Sequence, residues 1–93
     1  MTLEKTRIDG ADARAMLESH LFRGAWDALN DHLNAQELAC DPDNSEKARR
    51  IIISKQLLVA LKREFERQVD SGLMARVQLD ELEKKRKLRI FQR

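Results

Sequence analysis

The chain has 93 residues, 37% of them charged, with three Gly, one Pro, one Cys and a formal net charge of +2. A chain this short forms one domain near the size at which a single core barely suffices, so oligomerisation is the expected supplement. No apolar run, Ile51-Ile52-Ile53 included, approaches the ~20 residues of a bilayer span. The N-terminus lacks the apolar core of a signal peptide, and the single Cys40 permits no intramolecular disulfide; both favour a cytosolic protein in a reducing compartment. No alternating β-branched run proposes a strand, and the composition predicts an all-α fold.

Residues 1–8 show no periodicity and are expected to form a flexible arm. Asp9 offers an N-cap for a short first helix from Gly10 to about Ser19, with Ala11, Ala15 and Leu17 as a small apolar face. Ser19 either caps the next helix or sits within a continuous one. The following segment carries Phe22, Trp26, Leu29, Leu33 and Gln36 in steps of four, three, four and three, the spacing of one helix face. Gly24 lies inside it at a cost of about 1 kcal/mol relative to Ala, which predicts a close helix–helix approach at that position.

Cys40-Asp41-Pro42-Asp43-Asn44-Ser45 then breaks the pattern, since Pro lacks a donor and restricts the residue before it. Asp43 is the expected N-cap of the next helix, with Glu46 placed to close a capping box. From there Ile51, Leu58, Leu61, Phe65 and Val69 keep close to a seven-residue repeat, and Ser71-Gly72 supply a C-terminal stop. Beyond it Leu73, Met74, Val77, Leu79, Leu82 and Leu88 predict a last helix with a thin apolar face and a basic end.

The expected architecture is thus a single domain over 1–93: a first helical arm over 9–40, a long second helix over 43–71 antiparallel to it, and a basic C-terminal helix or tail over 73–93. The predicted hairpin core is Phe22, Trp26, Leu29, Leu33, Ile51, Leu58, Leu61, Phe65 and Val69, with Trp26, Leu29 and Leu33 facing Leu58, Leu61 and Phe65. Ile53, Val59, Leu73 and Met74 fall outside that seam and are the candidate partner interface.

Charge divides the chain. Residues 1–44 carry nine acids and four bases, net −5, whereas residues 45–93 carry fourteen bases and seven acids, net +7. Lys84, Lys85, Arg86, Lys87, Arg89 and Arg93 close the chain with no acid among them, a pattern able to contact phosphates without reading sequence. Phe91 is an aromatic able to stack on a base. A helix end favoured by its dipole, or an arm docked on an acidic protein, accounts for the same bases.

No constellation for chemistry emerges. His20 and His32 are twelve residues apart and cannot share one ion on a straight helix, while a structural metal takes four ligands. Cys40 has no His positioned by sequence to activate it. The run from Asp41 begins like a calcium loop, yet Glu46 stands where Gly is required and Ile52 where the bidentate Glu belongs. Gly10, Gly24 and Gly72 are too dispersed for a phosphate loop. No catalytic residue, metal or cofactor is assigned, and no enzyme is expected.

Ala13-Arg14-Ala15-Met16-Leu17-Glu18-Ser19-His20-Leu21-Phe22, Ala25-Trp26-Asp27-Ala28-Leu29, the Asp-bearing break, the Leu-rich helix and Ser71-Gly72-Leu73-Met74-Ala75 resemble small helical proteins encoded in the head and packaging gene clusters of tailed bacteriophages and prophages. The resemblance covers roughly residues 11–87 and excludes the Ile51-Ile52-Ile53 run and the basic tail. It implies a phage structural or assembly protein in the bacterial host cytoplasm or the virion, a homo-oligomer or bound to a larger phage protein. It gives no catalytic residue to carry over. Two alternatives stand beside that expectation: a DNA-binding packaging factor of the small-terminase kind using the basic tail, and an inhibitor that covers a site on a host protein.

Overall fold

The computed structural model describes residues 2–91, and these form three helices: α1 (Leu3–Glu18), α2 (His20–Leu38) and α3 (Ser45–Phe91). Two compact units result. One combines the residues up to Ala15 with those from Phe65 onward, and the other is Met16–Glu64. The all-α expectation holds, but the helix boundaries differ from the sequence reading in three places, each for a local reason.

The chain is helical from Leu3, where a flexible arm over 1–8 was expected. Thr2 caps α1: its Oγ1 accepts from Lys5 N at 3.1 Å and its carbonyl from Thr6 N at 3.1 Å. Asp9 is therefore an interior residue, paired with Lys5 Nζ at 2.7 Å one turn earlier. Of the two roles the sequence leaves open for Ser19, the structure takes the cap: one helix ends and the next begins there. With φ −62° and ψ 130° it is extended, and its hydroxyl accepts from Phe22 N.

Second, α3 begins one residue later than a cap at Asp43 would place it. Asn44 is the cap, its Oδ1 accepting from Lys47 N at 3.2 Å and its carbonyl from Ala48 N at 3.1 Å. Asp43 belongs instead to the turn Asp41-Pro42-Asp43-Asn44, closed by Asn44 N donating to Asp41 O at 2.9 Å, with Pro at the position where its fixed φ is favoured. Asp41 Oδ1 accepts from Asp43 N at 2.9 Å. These two side-chain oxygens serve backbone amides, as a turn followed by a cap requires.

Third, Ser71-Gly72 does not end the helix. No glycine has positive φ, whereas a glycine stop works by entering the left-handed region. In place of the predicted long helix over 43–71 and basic helix over 73–93, one helix of 47 residues runs over Ser45–Phe91.

In the first unit α1 packs on the later part of α3, and the reason lies in small residues. Leu3, Thr6, Gly10 and Ala13 recur in steps of three, four and three along α1; Phe65, Gln68, Gly72, Ala75 and Leu79 do so along α3. Gly10, Ala13, Gly72 and Ala75 are buried, Ala13 6% and Ala75 2% exposed. A Cβ placed on Gly10 would lie 2.6 Å from Gly72 Cα and 2.7 Å from Gln68 O, so the backbones touch. Gly24, the predicted site of close approach, has nothing within 4 Å.

In the second unit α2 runs antiparallel to the start of α3, as the hairpin pattern predicts. Glu37 near the end of α2 pairs with Lys55 at 2.9 Å, while Trp26 near its start lies under Lys62 Nζ, 5.6 Å from the ring centroid.

Candidate interaction surfaces

The nine predicted core residues are divided between the units. Phe22, Trp26, Leu33 and Leu58 are half-buried in the second unit, and Ile51, at 4% exposed, is its one buried residue. Phe22 and Trp26 stack one turn apart, centroids 6.3 Å and planes 30° apart. Phe65 and Val69 are half-buried in the first unit. Leu29 and Leu61 stay 52% and 48% exposed, because two helices cover only one stripe of each other.

Those exposed leucines are not scattered. Leu29, His32 and Leu33 of α2 and Ser54, Leu57, Leu58 and Leu61 of α3 line one open groove of about 410 Å³. Four predicted seam residues, Leu29, Leu33, Leu58 and Leu61, meet there, but at the edge of the hairpin. Leu57, 66% exposed, belongs to this surface and was absent from the predicted interface. Its signal was available in the four-residue step from Leu57 to Leu61 beside the main stripe.

The four candidate interface residues are all exposed: Ile53 and Val59 on the second unit, Leu73 and Met74 on the first. Ile53 and Val59 do not share a face. Val59 is seven residues from Ile52 and lies above it, whereas Ile53 is about 100° further round the axis. Leu73 lines a cleft of about 150 Å³ with Val69, flanked by Arg7, Arg14 and Arg76. Arg7 is hydrogen-bonded to Glu4, and that bond holds the Glu4 carboxyl below the usual carboxylate range and raises Arg7.

The basic end is helical as far as the described residues extend, and every residue from Asp80 to Ile90 is exposed. Lys84, Lys85, Arg86, Lys87 and Arg89 therefore surround the axis rather than form one stripe, because consecutive residues turn by about 100°. Lys87 Nζ lies 3.7 Å from Glu83, and Arg89 occupies the last turn, where the helix dipole favours a cation. Arg93 and the side chain of Phe91 lie outside the described residues.

His20 is exposed at the first residue of α2, and His32 sits at the groove with its Nε2 3.2 Å from Gln36 Nε2. The half-buried Cys40 thiol is directed at the carbonyls of Asp41 and Asn44, 3.6 and 3.9 Å away. Among the described residues no group of three or more His, Cys, Asp or Glu is placed to hold a metal, and no helix is long and apolar enough to cross a membrane.

No protein-family model, curated protein or solved structure matches this chain.

Proposed function

We propose that the chain is a non-enzymatic structural or assembly protein of a tailed phage or prophage, working through protein–protein contacts as an oligomer or on a larger virion component. The observation that carries the interaction role is the second unit's balance of burial. One residue, Ile51, is buried there, while Leu21, Leu29, Leu57 and Leu61 are between 48% and 82% exposed and three of the four line one groove. Clustered apolar surface of this kind marks an interaction site in a folded protein. The phage setting rests on the resemblance over residues 11–87, and with it the location in the host cytoplasm or the particle.

The test is binding of the purified chain to isolated head, portal and tail components, followed by titration calorimetry. Saturable binding weakened at least tenfold by Leu57→Lys supports the reading. A chain that binds none of them contradicts it.

A second reading, a DNA-packaging factor, is favoured by the exposed bases Lys84, Lys85, Arg86 and Arg89 on a helix with no acid after Glu83. Such contacts are sequence-indifferent and salt-dependent. Duplex DNA binding at low salt that disappears when these four residues become Glu supports it; no binding at low salt removes it.

A further inference from the structure

We propose that the cleft beside the Gly10–Gly72 crossing, on the first unit, is a carboxylate-binding site that takes an acidic side chain of a protein partner, an apolar neighbour of that side chain resting on Leu73. The inference rests on reading the chain as an interaction protein, and it states one chemical feature that the partner must have.

The site is a product of the crossing. Arg7 and Arg14 stand three residues before and four after Gly10, and Val69 and Arg76 stand three before and four after Gly72, so each pair flanks its glycine on one side of its helix. The touching backbones bring these two flanks closer together than a seam of large side chains would. With Leu73 they line one opening of about 150 Å³. Three guanidinium groups thus converge from two helices on an apolar bed.

The carboxylates of the same unit leave part of that charge unanswered. Glu4 holds Arg7 at the rim through Nη2 alone, and a guanidinium has five donors. Asp9 is engaged by Lys5. Asp12 and Asp70, each two residues from a glycine of the crossing, lie about 200° round their axes from it and face away. Among the described residues the Arg76 guanidinium has no hydrogen-bonded or ion-paired partner, although Asp80 is one turn further along. A ligand can take its donors without displacing another group.

Size and lining select the anion. About 150 Å³ is the volume of a benzene-sized cavity, so the cleft admits one side chain and not a nucleotide. Its cations are all arginines, whose planar forks meet a carboxylate through two parallel hydrogen bonds. Phosphate suits the forks as well, but the bed separates the two. Val69 and Leu73 share the opening with the guanidinium groups, and Val77, one turn after Leu73, carries the apolar surface outward; Leu73 is 47% and Val77 57% exposed. The methylenes of a glutamate and an apolar neighbour cover such a bed, whereas a phosphodiester backbone leaves it wet.

The experiment is NMR titration of the isotope-labelled full chain with three probes: a blocked Leu-Glu-Leu tripeptide, its Leu-Gln-Leu counterpart and inorganic phosphate. The glutamate peptide is expected to shift the Arg76 side-chain signal and the Leu73 amide saturably at millimolar concentration. The glutamine peptide, with no charge for the forks, binds at least about tenfold more weakly, and phosphate, which leaves the apolar bed uncovered, is also weaker. Arg76→Gln weakens the glutamate peptide by the same factor, and because Arg76 is exposed the far-UV circular dichroism stays that of the parent. Arg86→Gln, on the exposed end of α3, leaves the peptide's affinity unchanged. No saturable shift, equal binding of the two peptides, phosphate binding as tightly as the glutamate peptide, or an Arg76→Gln chain that binds as before overturns the proposal. An Arg76→Gln chain that holds a virion component as tightly as the parent defeats this inference and spares the proposed function; a chain that takes the glutamate peptide but binds no virion component does the reverse.

Discussion

The Gly10–Gly72 contact and the leucine-lined groove solve the same problem, covering a helix face, in opposite ways. At the first, two glycines bring backbones into contact and the neighbouring Ala13 and Ala75 are closed off from water. At the second, large side chains meet only at their edges, and Leu29, Leu57 and Leu61 remain about half exposed or more. Small residues can finish a two-helix contact by themselves, since nothing protrudes past the seam. Large ones leave a flank that only a further helix can cover.

The sharpest way to break this contrast is to give the crossing a side chain. Gly10→Ala puts a methyl carbon 2.6 Å from Gly72 Cα, and neither backbone can yield without separating the helices. The expected loss is about 3 kcal/mol, larger than the ~1 kcal/mol of helix propensity gained, and is measurable as a shift in the urea midpoint. The next effect is Asn44→Ala, which removes the acceptor for Lys47 N. It should cost about 1 kcal/mol in the same measurement.

Gly24→Ala sharpens the contrast with the opposite sign. Nothing stands within 4 Å of the added carbon, so the propensity term acts alone and stability rises by somewhat less than about 1 kcal/mol. A loss at Gly24 comparable to that at Gly10 would erase the distinction between the two sites. Smallest is a pH effect at the start of α1. Arg7 depresses the Glu4 carboxyl, so this contribution is full above the ordinary glutamate pKa and fades as pH falls through the lower folded value. Glu4→Gln should abolish that acid-side dependence while leaving neutral-pH helicity nearly unchanged, followed by circular dichroism during acid titration.

Much of the second unit was legible because its signals are large and local. Phe22, Trp26 and Leu33 mark the inner face of α2, Asp41-Pro42 ends the arm, and the antiparallel return follows from so short a connection. The first unit was not read from the same rules. A search for large apolar residues at helical spacing passes over Leu3-Thr6-Gly10-Ala13 and takes Gly72 for a stop. Gly10 and Gly72 have one role and Gly24 another, and the propensity cost of a glycine inside a helix assigned the close approach to Gly24.

The groove was half legible: Leu29, Leu33, Leu58 and Leu61 were identified as seam residues, while their exposure and the part played by Leu57 were not. Composition and periodicity determined that this chain is helical, where its connection falls and how its charge is distributed, because those depend on each residue's own chemistry and its neighbours within a turn or two. Tertiary structure decided which glycines are spacers, that α3 continues through Gly72, and that the leucines beside the seam face outward. These depend on which surface reaches which, and a helical repeat records a face without recording what stands opposite it.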